Sequence, residues 1–103
     1  MTFDWTPEFE ADLARLSVRE YQLFRKVAKK DFSPACDRYV ANPGTAWPKQ
    51  LRVHPMQGTP GIWEMTWSFS GPDGRATFQW VTVEGTTRVR WRRIGGHEIF
   101  KKS

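Results

Sequence analysis

Residues 62–70, Ile62-Trp63-Glu64-Met65-Thr66-Trp67-Ser68-Phe69-Ser70, decide how this chain reads. Trp63, Met65, Trp67 and Phe69 fall on one parity, and Glu64, Thr66 and Ser68 fall on the other. Strict alternation of this kind marks a strand with one buried face. The turn residues Gly71-Pro72-Asp73-Gly74 follow at once, and a second strand is predicted from Arg75 to Val83. There Ala76, Phe78 and Trp80 alternate against Arg75, Thr77 and Gln79, which reads as a hairpin. Glu84-Gly85 makes another tight turn, and Arg88 to Ile94 is the last long strand. Upstream, Gly58-Thr59-Pro60-Gly61 is a turn in which proline presets φ and Gly61 accepts a positive φ. Leu51-Arg52-Val53-His54 before it is a short candidate strand.

The period is helical before residue 42. Thr6-Pro7-Glu8 carries a cap, a first-turn proline and an acidic residue suited to the helix dipole. Phe9, Leu13 and Leu16 then form one apolar stripe. Ser17-Val18-Arg19-Glu20 is a capping-box sequence that starts a second helix, with Leu23, Phe24 and Val27 expected on its buried side. Ser33-Pro34 opens either a third short helix or a kinked continuation, and Asn42-Pro43-Gly44 ends it. Helices first and an antiparallel meander second give an α+β class. We expect a single domain over residues 1–103, with two or three helices packed on one face of a mainly antiparallel four-stranded sheet. The polar faces of the strands should then form a second, solvent-facing surface.

Of the 103 residues, 39% are apolar and six are tryptophan, so large rings supply buried area that aliphatic residues do not. The net charge is +5. Residues 1–50 carry eight Lys/Arg against seven Asp/Glu, and residues 51–103 carry eight against four, so the excess lies in the C-terminal half. That asymmetry points to an anionic partner. Cys36 is the only cysteine, which leaves no internal disulfide and no thiolate metal cluster, and it should simply be buried. No apolar run approaches the roughly 20 residues of a membrane span, and no leader precedes the first helix, so a cytoplasmic location is expected.

Arg88, Arg90 and Arg92 share one parity of the last strand, and a row of guanidiniums at this spacing suits phosphates. Arg75 lies on the polar face of the neighbouring strand. Taken singly, each arginine reads as a solvated surface group; taken together, like charges so close favour a bound anion. His97 follows Gly95-Gly96 directly after the basic strand, where an imidazole beside cations suits proton transfer during RNA cleavage. Neighbouring positive charge favours its neutral, base-competent form. His54 reads first as a plain edge-strand histidine, and its location also suits a second acid/base group or a substrate contact. Glu64 and Glu98 are candidate bases that also read as ordinary surface charges. Two histidines 43 positions apart without carboxylate company do not make a metal site, so no metal or other cofactor is expected.

Leu51…Gln57-Gly58-Thr59-Pro60-Gly61-Ile62-Trp63-Glu64-Met65-Thr66-Trp67 resembles the pattern of the RelE/ParE toxin superfamily, in which a leucine and a glycine precede an aromatic-Glu-hydrophobic strand. Gly74-Arg75-Ala76-Thr77-Phe78 resembles that family's Arg-x-x-aromatic strand. Ile94-Gly95-Gly96-His97-Glu98-Ile99-Phe100 resembles the Gly-x-His…Phe ending of its YafQ-like mRNA interferase branch, with His97 and Phe100 three apart where the branch has four. The resemblance implies a type II toxin, neutralised by a cognate antitoxin, that cleaves mRNA without metal, usually on the ribosome. By the same resemblance Arg75 stabilises the phosphorane, His97 is the general acid/base and Phe100 orders the substrate base. The RNA-contacting set is then Arg88, Arg90, Arg92, Arg93, His54 and Lys101. Two other readings stay open: a ParE-type inhibitor of DNA gyrase, and a non-catalytic RNA- or protein-binding module on the same scaffold.

Overall fold

The computed structural model describes residues 1–68 and 73–95. Its core element is the sheet. Strands β1 (Phe3–Trp5), β2 (His54–Pro55), β3 (Trp63–Ser68), β4 (Gly74–Val83) and β5 (Thr86–Gly95) lie in the order β1-β5-β4-β3-β2. The three long strands are the predicted meander. Glu84 and Gly85 both take positive φ at the β4–β5 turn, the geometry that suits right-twisted hairpins.

The sheet has five strands, not four, and it is mixed. Phe3, Asp4 and Trp5 pair in parallel with Val89, Arg90 and Trp91. Three residues are too few to show alternation, and their partner lies more than 80 residues away, so this strand was missed. Phe3 is held by its ring, stacked between Phe32 and Trp91 at centroid distances of 6.1 and 5.6 Å. Where β1 ends, helix α1 (Pro7–Leu13) takes over the edge of β5. The Thr6 hydroxyl caps the helix by accepting from Phe9 N–H, and donates to the Arg92 carbonyl at 2.9 Å. Asp12 accepts from the Ile94 N–H at 3.1 Å. The exposed edge of β5 is thereby covered instead of being left as a template for another chain.

The second helical region is one bent rod instead of two separate helices. The Ser17 capping box forms as expected and opens α2 (Val18–Val27). A wide turn over Ala28–Phe32 then leads without a break into α3 (Ser33–Ala41). Pro34 has no N–H and its ring crowds the preceding turn. The ladder absorbs this by widening, so the Ser33 N–H donates to the Ala28 carbonyl, five residues back. Phe24 and Val27 are buried as expected, but Leu23 is 36% exposed. Cys36 is fully buried, and burial pushes its thiol pKa up, so it packs as a small apolar group.

The core between sheet and helices is aromatic: Phe9, Phe24, Phe32, Trp67, Phe78 and Trp91 are all buried. Each such ring contributes on the order of 1.5–3 kcal/mol of transfer free energy. The other sheet face is closed at its middle, although Arg75, Gln79, Arg88 and Arg90 around it are partly exposed. Glu64, Thr66 and Thr77 are at most 3% exposed. The candidate strand Leu51–His54 is mostly a tight turn, Lys49–Leu51, followed by Arg52 at φ 46°. Only His54 and Pro55 pair with β3. Among the described residues no helix is long and apolar enough to cross a membrane.

Candidate functional site

The polar face of β2, β3 and β4 assembles a chain of charges around one buried carboxylate. His54 sits directly opposite Glu64 in the β2–β3 ladder, and Arg75 lies on β4, paired with Thr66. The Oε1 atom of Glu64 takes His54 Nε2 at 2.8 Å and Arg75 Nη1 at 3.2 Å. Arg75 extends its other arm to within 3.7 Å of Asp73, which in turn binds Arg52 at 3.0 Å. The order Arg52, Asp73, Arg75, Glu64 thus alternates cation and anion, and His54 meets the chain at Glu64.

The members differ in exposure. The Glu64 side chain is 4% exposed and that of Arg75 is 14%, whereas His54 is 51% exposed. The Oε2 atom of Glu64 is buried and has no hydrogen-bond partner among the described residues. The ring of His54 is held at both nitrogens, because its Nδ1 lies 2.6 Å from the Arg52 carbonyl. That carbonyl is aimed by the left-handed backbone of Arg52, a conformation that costs an L-residue about 1 kcal/mol and so needs a compensating contact.

The arginine row is arranged differently from the sequence expectation. Register shifts at Thr77/Phe78 leave Arg92 as an extra residue in β5, so the parity of the strand changes there. Arg90 is bound by both oxygens of Asp4, at 2.8 and 3.0 Å. These hydrogen bonds and the nearby charges of Arg90 and Arg88 outweigh partial desolvation and hold the Asp4 carboxyl below its ordinary pKa. Arg93 is bound by both oxygens of Asp12, at 2.6 and 2.9 Å, and Arg92 donates to Gln79. Arg88 forms no ion pair among the described residues. It also lies opposite Val81, six residues along β4 from Arg75, which at strand spacing is about 20 Å. Arg75 and the Arg88/Arg90 pair therefore do not converge on a single phosphate.

His97, Phe100 and Lys101 lie outside the described residues. Gly95, the last described residue, is the register partner of Arg75. The chain therefore leaves the described structure at the Arg75 end of β5, two residues before position 97. Among the described residues no group of His, Cys, Asp and Glu is arranged to hold a metal ion. Sequence reading underrated Glu64, because alternation placed it on a face assumed open. Its direct pairing with His54 depends on a two-residue strand that no periodicity could reveal.

No protein-family model and no curated protein matches the chain. Solved structures do. The YoeB/ParE toxin from Agrobacterium tumefaciens superposes with a TM-score of 0.56 at 13% identity, over 94% of this chain and 99% of its own. The E. coli RelBE toxin-antitoxin complex matches with a TM-score of 0.50 at 9% identity, over 92% of this chain and 94% of the matched one. At such identities the likeness speaks to architecture alone, and on that level it is clear: this chain has the same α+β, mixed-sheet fold as these toxin-system proteins.

Proposed function

We propose that the chain is the toxin of a type II toxin-antitoxin system and acts as a metal-independent mRNA endoribonuclease on the ribosome, of the YafQ-like kind. The observation that carries this reading is the placement of Arg75. Its guanidinium is held by Glu64 on the polar face, at the end of the sheet from which the chain runs on to His97. In this reading the ribose 2′-oxygen attacks the adjacent phosphorus and loses its proton to a base, while the P–O5′ bond breaks and O5′ takes up a proton. The products are a 2′,3′-cyclic phosphate and a free 5′-hydroxyl. Arg75 stabilises the phosphorane charge, His97 serves in proton transfer and Phe100 stacks on the substrate base. Fixed donors of this kind need no reorganisation as charge develops, and one is typically worth a factor of about 10²–10³.

Arg88, Arg92, His54 and Lys101 remain the proposed RNA contacts, with Arg88 serving a nucleotide distant from the scissile one. Arg90 and Arg93 join them only by exchanging Asp4 and Asp12 for phosphate. The antitoxin fits the apolar groove of about 780 Å³ between β1, α1 and α2, floored by Phe3, Phe9, Phe24 and Trp91. Lys26 and Lys29 line the same groove, which suits an amphipathic segment with acidic flanks.

Controlled expression with and without the neighbouring reading frame, followed by mapping of mRNA ends, tests the proposal. Translation-dependent internal cuts are expected, reduced about 10²-fold or more in Arg75→Ala. Growth arrest with intact mRNA and a DNA-damage response would assign the chain to the gyrase-inhibiting class instead. An absence of any phenotype would leave a binding module.

A further inference from the structure

We propose that Gln79, aimed by Arg92, reads the Hoogsteen edge of a guanine flanking the cut and so sets the sequence preference of the site. The assignment rests on the nuclease reading above and deepens it, because it names the part of the substrate that the polar face selects.

Gln79 lies on β4 with the parity of Arg75 and Thr77, so all three side chains belong to the polar face. Thr77 is fully buried, whereas Arg75 and Gln79 are partly exposed on either side of it. Four strand positions separate Gln79 from Arg75, a span of about 13 Å. RNA held at Arg75 by its scissile phosphate therefore reaches Gln79 with a flanking nucleotide. The neighbouring strand supplies the aim. Thr77 Oγ1 accepts from the Arg93 N–H at 3.1 Å and holds the β5 bulge in which Arg92 is the extra residue. Arg90, the register partner of Gln79, is drawn to the β1 side by both oxygens of Asp4. Arg92 turns the other way and donates from Nη1 to Gln79 Oε1 at 2.5 Å.

A guanidinium has only donors, so the amide oxygen of Gln79 is the one atom of its head group that can face Arg92. The amide is thereby oriented by chemistry, with its oxygen engaged and its NH₂ group turned away. That Nε2 has no hydrogen-bond partner among the described residues. An unengaged glutamine reads adenine, giving a hydrogen bond to N7 and taking one from N6–H₂. Here the accepting half is held by a cation, which also repels the positive end of an N6–H₂ group. What remains is a donor beside a positive charge, and it calls for adjacent acceptors. Guanine offers N7 and O6 side by side, whereas adenine sets a donor next to N7. Both pyrimidines also place a donor beside their acceptors, N4–H₂ in cytosine and N3–H in uracil. Unstacked bases of single-stranded RNA expose these edges to a protein surface.

The test is cleavage of ribosome-bound messages that differ in a single base at each position flanking the cut. The wild-type chain is expected to cut fastest with guanine at one of these positions. The advantage over adenine should be about 10-fold, the scale of one well-placed base contact. Inosine there should serve as well as guanine, since it keeps N7 and O6. The 7-deazaguanine message should be cut more slowly, since it lacks N7. Gln79→Ala should bring the guanine message down to the adenine rate and leave the adenine message unchanged. Gln79→Glu keeps the Arg92 contact but turns a second carboxylate oxygen outward, so guanine should become the poorest base. A merely structural Gln79 would slow every message alike, and that result would overturn the assignment. So would a wild-type preference that is absent, directed to another base, or indifferent to 7-deazaguanine. The nuclease reading survives each of those outcomes, whereas failure of the wild-type chain to cut any message removes both. Thermal melts check that the variants fold, and the 7-deazaguanine comparison needs no variant.

Discussion

Asp12 holds the end of β5 with three hydrogen bonds: two from the Arg93 guanidinium and one from the Ile94 N–H. Burial alone would disfavour its charge. The Arg93 and Ile94 hydrogen bonds and the Arg93 charge outweigh that cost and keep the carboxyl below its ordinary pKa. A carboxyl depressed in the folded state stabilises it at pH values above the ordinary carboxylate range, near about 3.9. That contribution is lost as the pH falls through the lowered folded value. Asp12→Asn leaves Arg93 unpaired and turns an amide donor towards it. The expected loss near neutrality is about 3 kcal/mol, the scale for breaking a mostly buried pair from one side. Urea unfolding at neutral and acid pH checks this, and the variant should show a shallower acid decline than the parent. Asp12 had no place in the sequence reading, because its partner is 81 positions away and nothing local distinguishes it from any acid on a helix. Glu64 was singled out but misjudged for a related reason: alternation tells which face a residue occupies, not whether that face is covered.

Gly74 belongs to the scale of elements, because it sets how closely β3 and β4 approach. The ladder runs Thr66 to Arg75 and then Ser68 to Gly74, so Trp67 is the extra residue of a bulge. A Cβ at position 74 would sit 2.6 Å from the Trp67 ring, inside any real contact distance. Gly74→Ala should therefore force the indole or the strand to shift, at about 1–3 kcal/mol, the usual cost of overpacking. A lowered melting temperature with an altered near-ultraviolet tryptophan signal would show it, and an unchanged melt would mean that the bulge is slack. The hairpin itself was legible, as were the Thr6 and Ser17 caps, because each is written in a few adjacent residues. What was not legible is non-local. The strand β1 depends on pairing with Val89–Trp91, the wide turn at Ala28–Phe32 on how the helix accommodates Pro34, and the brevity of β2 on the turn at Arg52. The two bulges also carry consequences that simple parity cannot foresee: the one in β5 sets Arg92 and Arg93 in succession between the buried Trp91 and Ile94.

At the scale of the whole molecule, the question is how much of the +5 charge is available to an anionic partner. The answer depends on pairing more than on the total. Arg90 and Arg93 are each bound by an internal carboxylate, whereas Arg88 forms no ion pair among the described residues. If RNA runs along β5 from Arg75 towards Arg88, it passes Arg90 and competes with Asp4 for it. Asp4→Asn then frees one cation on the path. Single-stranded RNA binding loses about 0.7 in the slope of log K against log salt for each phosphate neutralised. The variant should therefore bind more tightly at low salt, with a slope steeper by about 0.7, measured by fluorescence anisotropy across a salt series. The Asp4–Arg90 pair is partly exposed, so little stability should be lost with it. An unchanged slope would take the β1 side of the sheet off the RNA path. Binding would then be confined to the His54, Glu64 and Arg75 end, and the basic strand would serve the fold through its internal carboxylates.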